Sequence, residues 1–332
     1  MEKLLTITVP TYNVEKYLAQ CLDSFVLEED RELLEVLIVN DGSTDTSADI
    51  AKTYVERYPD VFTLINKENG GHGSTINAGI KAATGKYFKV VDSDDWVDKA
   101  AMKNLMECLK KSDSDLVYSN YYWIDNRTGK KSVEFEKPFS SVEYKKEYVF
   151  DEIKEPLFLK MHGYNIKTDI LRNTPSIDEN CFYVDMEFVM FPIPFVKTIT
   201  FIEDFVYQYR IGLPGQSMDP EKMKRNTANF ERVINRLFDY YVEQREEISD
   251  RKVEYMEHLL GRLVASRMKI YLSNPYSSNI KKQMKAYDDM VKETYPKVYA
   301  AVGNKAVLAL RKTGYNLYGL ARLTYFMKER LS

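Results

Sequence analysis

Asp92-Ser93-Asp94-Asp95 places three carboxylates within one turn of chain, directly after the strand-like run YFKVV. Clustered carboxylates repel one another, and burying them without a counter-cation is costly. A divalent ion such as Mg2+ or Mn2+ removes that repulsion, because carboxylate and phosphate oxygens together make a usual octahedral set for a hard cation. The competing reading is a solvated acidic turn that caps a helix starting at Lys99. A further carboxylate, Asp41, sits in Asn40-Asp41-Gly42-Ser43. It can accept a hydrogen bond from the imide N–H of a base such as uracil. Its alternative task is to cap the following helix, which Ser43 or Thr44 can also do. Gly70, Gly71 and Gly73 flank His72, and this GGHG loop lets backbone approach a ligand closely. It is neither a G-x-G-x-x-G fingerprint nor a P-loop, since no G-K-S/T follows.

The elements that must position these residues alternate. Strands are expected at residues 4–9, 34–39, 61–65 and 87–91, with helices at 14–26, 44–58 and 74–83. This order implies an α/β fold, a mostly parallel sheet flanked by helices. Ligands bind at the carboxyl ends of such strands. The polar clusters fall there: Pro10-Thr11-Tyr12-Asn13, the Asp41 loop, residues 66–73 with Asn69, and the acidic turn. A helix is expected at 99–111, strands at 116–124 and 199–209, and a hairpin turn at 126–131. Residues 183–196 start as a helix and are interrupted by Pro192 and Pro194. From about residue 220 the chain reads as amphipathic helices at 221–244, 251–272 and 279–295, with a basic helical tail from Asn304. We place a boundary near 218, giving an α/β domain at 1–218 and a helical C-terminal region at 219–332.

The strings VPTYN, VNDGST, NAGIKAATGKY and VVDSDDWVD occur in that order. Together they resemble family 2 glycosyltransferases of the GT-A fold, the nucleotide-diphospho-sugar transferase architecture, across roughly residues 4–218. The resemblance implies an inverting enzyme that moves a sugar from a nucleotide-sugar, with UDP-sugar the expected donor class. Asp94 or Asp95 then binds the metal that bridges the donor diphosphate, and Asp92, with Ser93 beside it, lies near the ribose. Asp41 contacts the nucleobase, Pro10, Thr11 and Tyr12 lie against base and ribose, and Asn69 joins the nucleotide-sugar contacts. An Arg common in the family before N-A-G is Ile76 here, which removes one donor contact. His72 is either its substitute or a helix-entry histidine with no donor contact. The family's Glu-Asp pair becomes Val184-Asp185. Asp185, at a helix N-terminus, is the expected general base, with Glu187 as the second candidate. The plain alternative for Asp185 is a helix N-terminal charge. Tyr207-Gln208-Tyr209-Arg210 and Gly215-Gln216-Ser217 resemble the domain's closing segment. Arg210 there pairs with the leaving diphosphate or makes a structural salt bridge. The Q-x-x-R-W signature of processive synthases is absent.

Composition agrees with a soluble globular chain: 332 residues, 44% hydrophobic and 29% charged. The net charge of −3 offers no global basic field for nucleic acid. The 25 tyrosines suit either sugar-binding grooves or an aromatic core. Cys21, Cys108 and Cys181 form no CxxC pair and read as reduced thiols of a cytoplasmic protein. No signal-peptide pattern and no apolar run of membrane-spanning length is present. Residues 303–332 carry six Lys/Arg against one Asp/Glu. They read as a helix packed on the protein or on a second subunit of a homo-oligomer, or as a peripheral contact with the inner membrane face. The expected acceptor is a saccharide, teichoic acid or lipid-linked glycan of cell-surface polysaccharide synthesis. Two rivals are a nucleotidyltransferase, which wants a Gly-rich, Arg-containing first loop, and a non-catalytic nucleotide-sugar-binding module, which would lose the acidic cluster or the base.

Overall fold

The computed structural model describes residues 2–331 except 134–138, 140, 155, 214–215, 217–219 and 276. The chain divides into two compact units, Met1–Leu213 and Pro214–Ser332. The expected contacts of Gly215 and Ser217, and the boundary at 218, fall outside the described residues.

In the first unit, β1 (Leu5–Thr11), β2 (Leu34–Asn40), β3 (Phe62–Asn66) and β4 (Tyr87–Val90) pair in parallel in the order β3-β2-β1-β4. β1 is buried along its whole length, and β2 nearly so, which is why both read as unbroken apolar runs. The helices α1 (Leu18–Asp23), α2 (Ser47–Arg57) and α3 (Gly71–Ala82) make the crossovers, and α4 (Lys99–Lys111) follows the acidic turn. Asp98 caps α4, accepting from the N–H of Ala101 at 3.0 Å.

The sheet is less parallel than the sequence suggests. Beyond β4 it continues with β9 (Tyr164–Lys167), β6 (Leu116–Asp125), β10 (Thr198–Ile211) and β5 (Trp96–Val97). β9 is antiparallel to both β4 and β6, while β10 runs parallel to β6. Short edge strands β7 (Lys131–Ser132) and β8 (Glu147–Val149) pair antiparallel to β6 and β10. The β6–β7 pairing bears out the expected hairpin. Two short helices, α5 (Thr168–Arg172) and α6 (Asp185–Met190), lie between β9 and β10.

The sequence overextended two helices. Residues 14–17 form turns before α1. α2 starts only at Ser47, because Asn13 and Asp45 take the preceding N–H groups: Asn13 Oδ1 accepts from Thr44, and Asp45 Oδ1 from Ser47.

The second unit is helical: α7 (Pro220–Arg225), α8 (Thr227–Gln244), α9 (Asp250–Ser273), α10 (Ser278–Thr294), α11 (Pro296–Ala301), α12 (Lys305–Lys312) and α13 (Tyr318–Leu331). One expected helix, 221–244, is two, breaking at Asn226. The tail is partly built into this unit. Arg311 donates to both oxygens of the buried Asp288 at 2.7–3.2 Å, and Tyr315 donates to the same carboxylate at 2.6 Å. Val307, Leu310 and Tyr318 are buried, whereas Leu317, Leu320, Leu323 and Met327 are exposed. Gly314 at φ +55° and Tyr315 at φ +66° turn the chain between α12 and α13. Among the described residues no helix is long and apolar enough to cross a membrane.

Candidate active site at the strand ends

The acidic turn leaves β4 and is fixed from β10. The Tyr207 hydroxyl donates to Asp95 Oδ2 at 2.6 Å and accepts from the Asp92 N–H at 3.2 Å. The Arg210 N–H donates to Asp95 Oδ1 at 2.6 Å. The Arg210 guanidinium donates to Asp94 O, Asn126 Oδ1 and Gln20 Oε1, and lies between the rings of Tyr17 and Trp96. Asp95 is 1% exposed and both its oxygens are hydrogen-bonded within the chain, so its carboxylate anchors the turn. Arg210 is 8% exposed and its guanidinium shapes the turn, as the structural alternative had it.

Asp92 and Asp94 remain at the surface of the cluster. Asp92 Oδ1 lies 2.7 Å from His72 Nε2. Burial alone would raise the Asp92 carboxyl, but His72, His162 and the Tyr207 hydroxyl outweigh it and hold it below the usual carboxylate range. Burial also works against the His72 charge, yet Asp92, Asp185 and Asp94 together raise its affinity for a proton. At Asp94 the opposing pull of Arg210 and His72 is the weaker one. Burial and then Asp92 push its carboxyl up to about 6. Ser93 is buried between them.

The first three loops lie on the same rim. Tyr12 is 50% exposed, an aromatic face open to a ring ligand, whereas the side chains of Pro10 and Thr11 are buried at the end of β1. Asn13, at φ +52°, ties the first loop to the second through its N–H to Ser43 Oγ and its Oδ1 to Thr44. Asp41 is 2% exposed and its carboxylate is occupied. Oδ1 accepts from Lys67 Nζ, the Gly70 N–H and Ser74 Oγ, and Oδ2 accepts from the Gly71 N–H at 2.8 Å. The carboxylate therefore gathers the start of α3, so the helix it secures is not the one that follows it. Asn69 is exposed and donates from Nδ2 to the Asp41 carbonyl at 2.9 Å.

The GGHG loop has a different use from the one expected. A Cβ at Gly73 would lie 2.1 Å from Asp178 O, and Gly71, at φ +79°, packs on Asn180. The glycines thus seat the loop 173–184 that leads into α6. Asn180 N–H donates to Gly70 O at 2.6 Å, and Asn77 exchanges hydrogen bonds with both the carbonyl and the N–H of Ile177. This seating brings Asp185 within electrostatic reach of His72 and Asp92. Burial, with Asp92 adding to it, raises the Asp185 carboxyl, while His72 and Lys160 oppose the rise. Tyr183 two residues earlier is held at φ +69°, an uncommon conformation for a bulky side chain. Glu187 is wholly buried and accepts from the Asp178 N–H at 2.7 Å, so it braces the loop and leaves Asp185 as the carboxylate facing the cluster.

Sequence reasoning missed the layer beneath. The His162 ring packs on Tyr121, Tyr207 and Tyr209, and burial lowers its pKa to about 3, keeping it neutral. Lys89 is fully buried in β4 and donates to the His162 carbonyl at 2.7 Å; burial lowers its pKa to about 7. A lysine inside the apolar run YFKVV was the available signal.

Residues 6–162 match the family model described as glycosyl transferase family 2. The chain is 31% identical over 231 residues to the minor teichoic acid biosynthesis protein GgaB of Bacillus subtilis, covering 68% of this chain and 25% of that protein. It is 35% identical over 131 residues to the poly(ribitol-phosphate) beta-glucosyltransferase of Bacillus spizizenii, covering 39% of this chain and 21% of that one. The chain thus spans about a quarter or less of these relatives' length. Its fold is similar to that of S. aureus TarS 1–349 in complex with UDP-GlcNAc, with a TM-score of 0.69 at 18% identity over 98% of this chain and 92% of the other. The mannosyltransferase PcManGT from Pyrobaculum calidifontis, in complex with GDP-Man and Mn2+, aligns with a TM-score of 0.54 at 15% identity, over 98% and 87%.

Proposed function

The first unit of this chain belongs to glycosyltransferase family 2 and has the GT-A fold, and from that premise we propose that it transfers a sugar from a UDP-sugar, with inversion, to a hydroxyl of a cell-surface glycan acceptor of the teichoic acid class. One observation carries the reading: Asp92 and Asp94 on the donor side and Asp185 on the acceptor side converge about His72. The teichoic acid class rests on the names of the relatives.

In this reading Tyr12 stacks on the base. Asp92, oriented by His72, meets the ribose side of the donor. Asp185 takes the proton of the acceptor hydroxyl, whose oxygen attacks the anomeric carbon as the nucleoside diphosphate departs. The carboxylate of Asp94 fits a divalent cation. It is half-buried, burial and Asp92 push it up, and the Arg210 guanidinium donates to its backbone carbonyl. Among the described residues no group of three or more His, Cys, Asp or Glu converges as a self-contained metal cage. Donor phosphate oxygens would therefore complete the set, as is usual for Mg2+ sites. A bound cation would supply charge stabilisation for the leaving diphosphate.

The test is release of UDP from UDP-GlcNAc and UDP-glucose, with and without a poly(ribitol phosphate) acceptor. UDP release that requires Mn2+ or Mg2+, rises with acceptor and stops with EDTA is the expected result. A chain that neither releases UDP from these donors nor is thermally stabilised by UDP and metal sinks the proposal.

A further inference from the structure

Lys160 lies just before the short turn that carries His162, and it is held by three aromatic rings. Its Nζ is 5.7 Å from the ring centroid of Tyr121, 5.4 Å from that of Trp123 and 5.5 Å from that of Phe158. The backbone explains the grouping. Tyr121 and Trp123 are two residues apart on β6 and so share one face, while Tyr122 points to the other and stacks on Phe205 at 4.2 Å. Phe158 and Lys160 are also two apart, and Lys160 is extended at φ −118° and ψ 153°. Its N–H is tied to the Tyr118 hydroxyl at 3.0 Å.

This cluster borders the acceptor side of the site. The Tyr121 ring also packs against His162 at 5.2 Å, and Lys160 bears electrostatically on both His162 and Asp185. An acceptor that carries negative charge must approach Asp185 while Asp92 and Asp94 repel it. A cation whose charge bears on Asp185, set among ring faces, offsets part of that repulsion. Aromatic faces next to it suit the carbon backbone of a polyol.

We infer that Lys160, with Tyr121, Trp123 and Phe158, forms an acceptor subsite that receives a phosphate of a polyol phosphate chain and so presents a neighbouring hydroxyl to Asp185. The inference rests on the proposed acceptor class, and it names the residues that recognise that class.

The test omits the sugar donor. Ribitol 5-phosphate, ribitol, inorganic phosphate and UDP are each titrated calorimetrically into the full chain. Wild type and Lys160→Arg should bind ribitol 5-phosphate about tenfold or more tightly than ribitol, since a cation–phosphate contact adds a charge-assisted hydrogen bond. Lys160→Met should lose that preference while keeping its UDP affinity and melting temperature. Trp123→Ala should weaken ribitol 5-phosphate several-fold and leave inorganic phosphate unchanged. A preference that survives in Lys160→Met overturns the inference. So does inorganic phosphate binding as tightly as ribitol 5-phosphate, or a loss of UDP affinity in Lys160→Met, which would assign the lysine to the donor. A chain that binds ribitol 5-phosphate through Lys160 yet releases no UDP from any UDP-sugar refutes the proposed transfer and leaves this subsite standing. Transfer to a polyol phosphate unaffected by Lys160→Met does the reverse.

Discussion

In the parallel half of the sheet, each rim loop is a short step from a strand to a helix: β1 to α1, β2 to α2, β3 to α3. In the mixed half, Asp185 hangs from the loop 173–184, whose position is set by hydrogen bonds to residues about a hundred positions away. The proposed donor side is therefore preset by local chain geometry, with Asn13, Asp41 and Lys67 lacing neighbouring loops together. The proposed acceptor side depends on a few long-range contacts at Gly70, Gly73 and Asn77. Local geometry tolerates little change, whereas a seated loop can be redirected by single substitutions. The two sides should fail differently.

The most severe break is expected on the donor side. Asp94→Asn should abolish UDP release and metal-dependent UDP binding, with melting temperature equal to or above wild type, because a repelled carboxylate is removed from the cluster. Turnover at the wild-type rate, with no response to EDTA, would remove Asp94 from the reaction. On the acceptor side, Asp185→Asn should lower kcat by about 10²–10⁴-fold, the usual range for loss of a general base, with donor KM unchanged. Loss of donor binding with kcat retained would contradict that assignment.

A milder break sharpens the contrast. Asn77→Ala removes the hydrogen bonds to Ile177, each worth about 0.5–1.5 kcal/mol. It should lower kcat about tenfold, speed hydrogen exchange in residues 173–184, and leave UDP affinity unchanged. Equal losses in donor and acceptor parameters would mean that the two sides are not separately held. The effect expected below the site is on stability and leaves turnover untouched. The folded-state pKa of Lys89, about 7, lies below its unfolded value, so between about pH 7 and 10 the unfolded chain binds one more proton than the folded one. Stability relative to Lys89→Met should then rise with pH across that window, by up to about 1.4 kcal/mol per unit, and be flat below it. A difference that does not vary with pH, read from urea melts, would show that Lys89 titrates normally.

The same contrast explains what could be read in the chain. Strands β1, β2 and β4 were legible because buried parallel strands are largely apolar runs, and the partly exposed β3 because short polar loops bound it. The order of β9, β6 and β10 was not, since short strands joined by long connections leave no periodic signal of their partners. Residue types at the rim were legible, but their directions were not. Asp95 and Arg210 have the right chemistry for ligand contacts, yet they bond to each other's segment. Asp41 turns inward for a similar reason, because four donors from residues 67–74 converge on it. His72 became informative only when the fold brought Asp92 to 2.7 Å from it.

The Tyr207 hydroxyl that grips the acidic turn comes from a residue 112 positions downstream of Asp95. It lies well outside residues 6–162, the stretch that most visibly identifies the family. That has a consequence for recombining such enzymes. A chimera cut at the edge of that stretch would carry Asp92 and Asp94 into a host without the strand that supplies Tyr207 and Arg210. The signature would transfer intact while the shape of its turn would not. Productive crossover points should therefore lie after Ile211, where the strand that holds the turn has already been included.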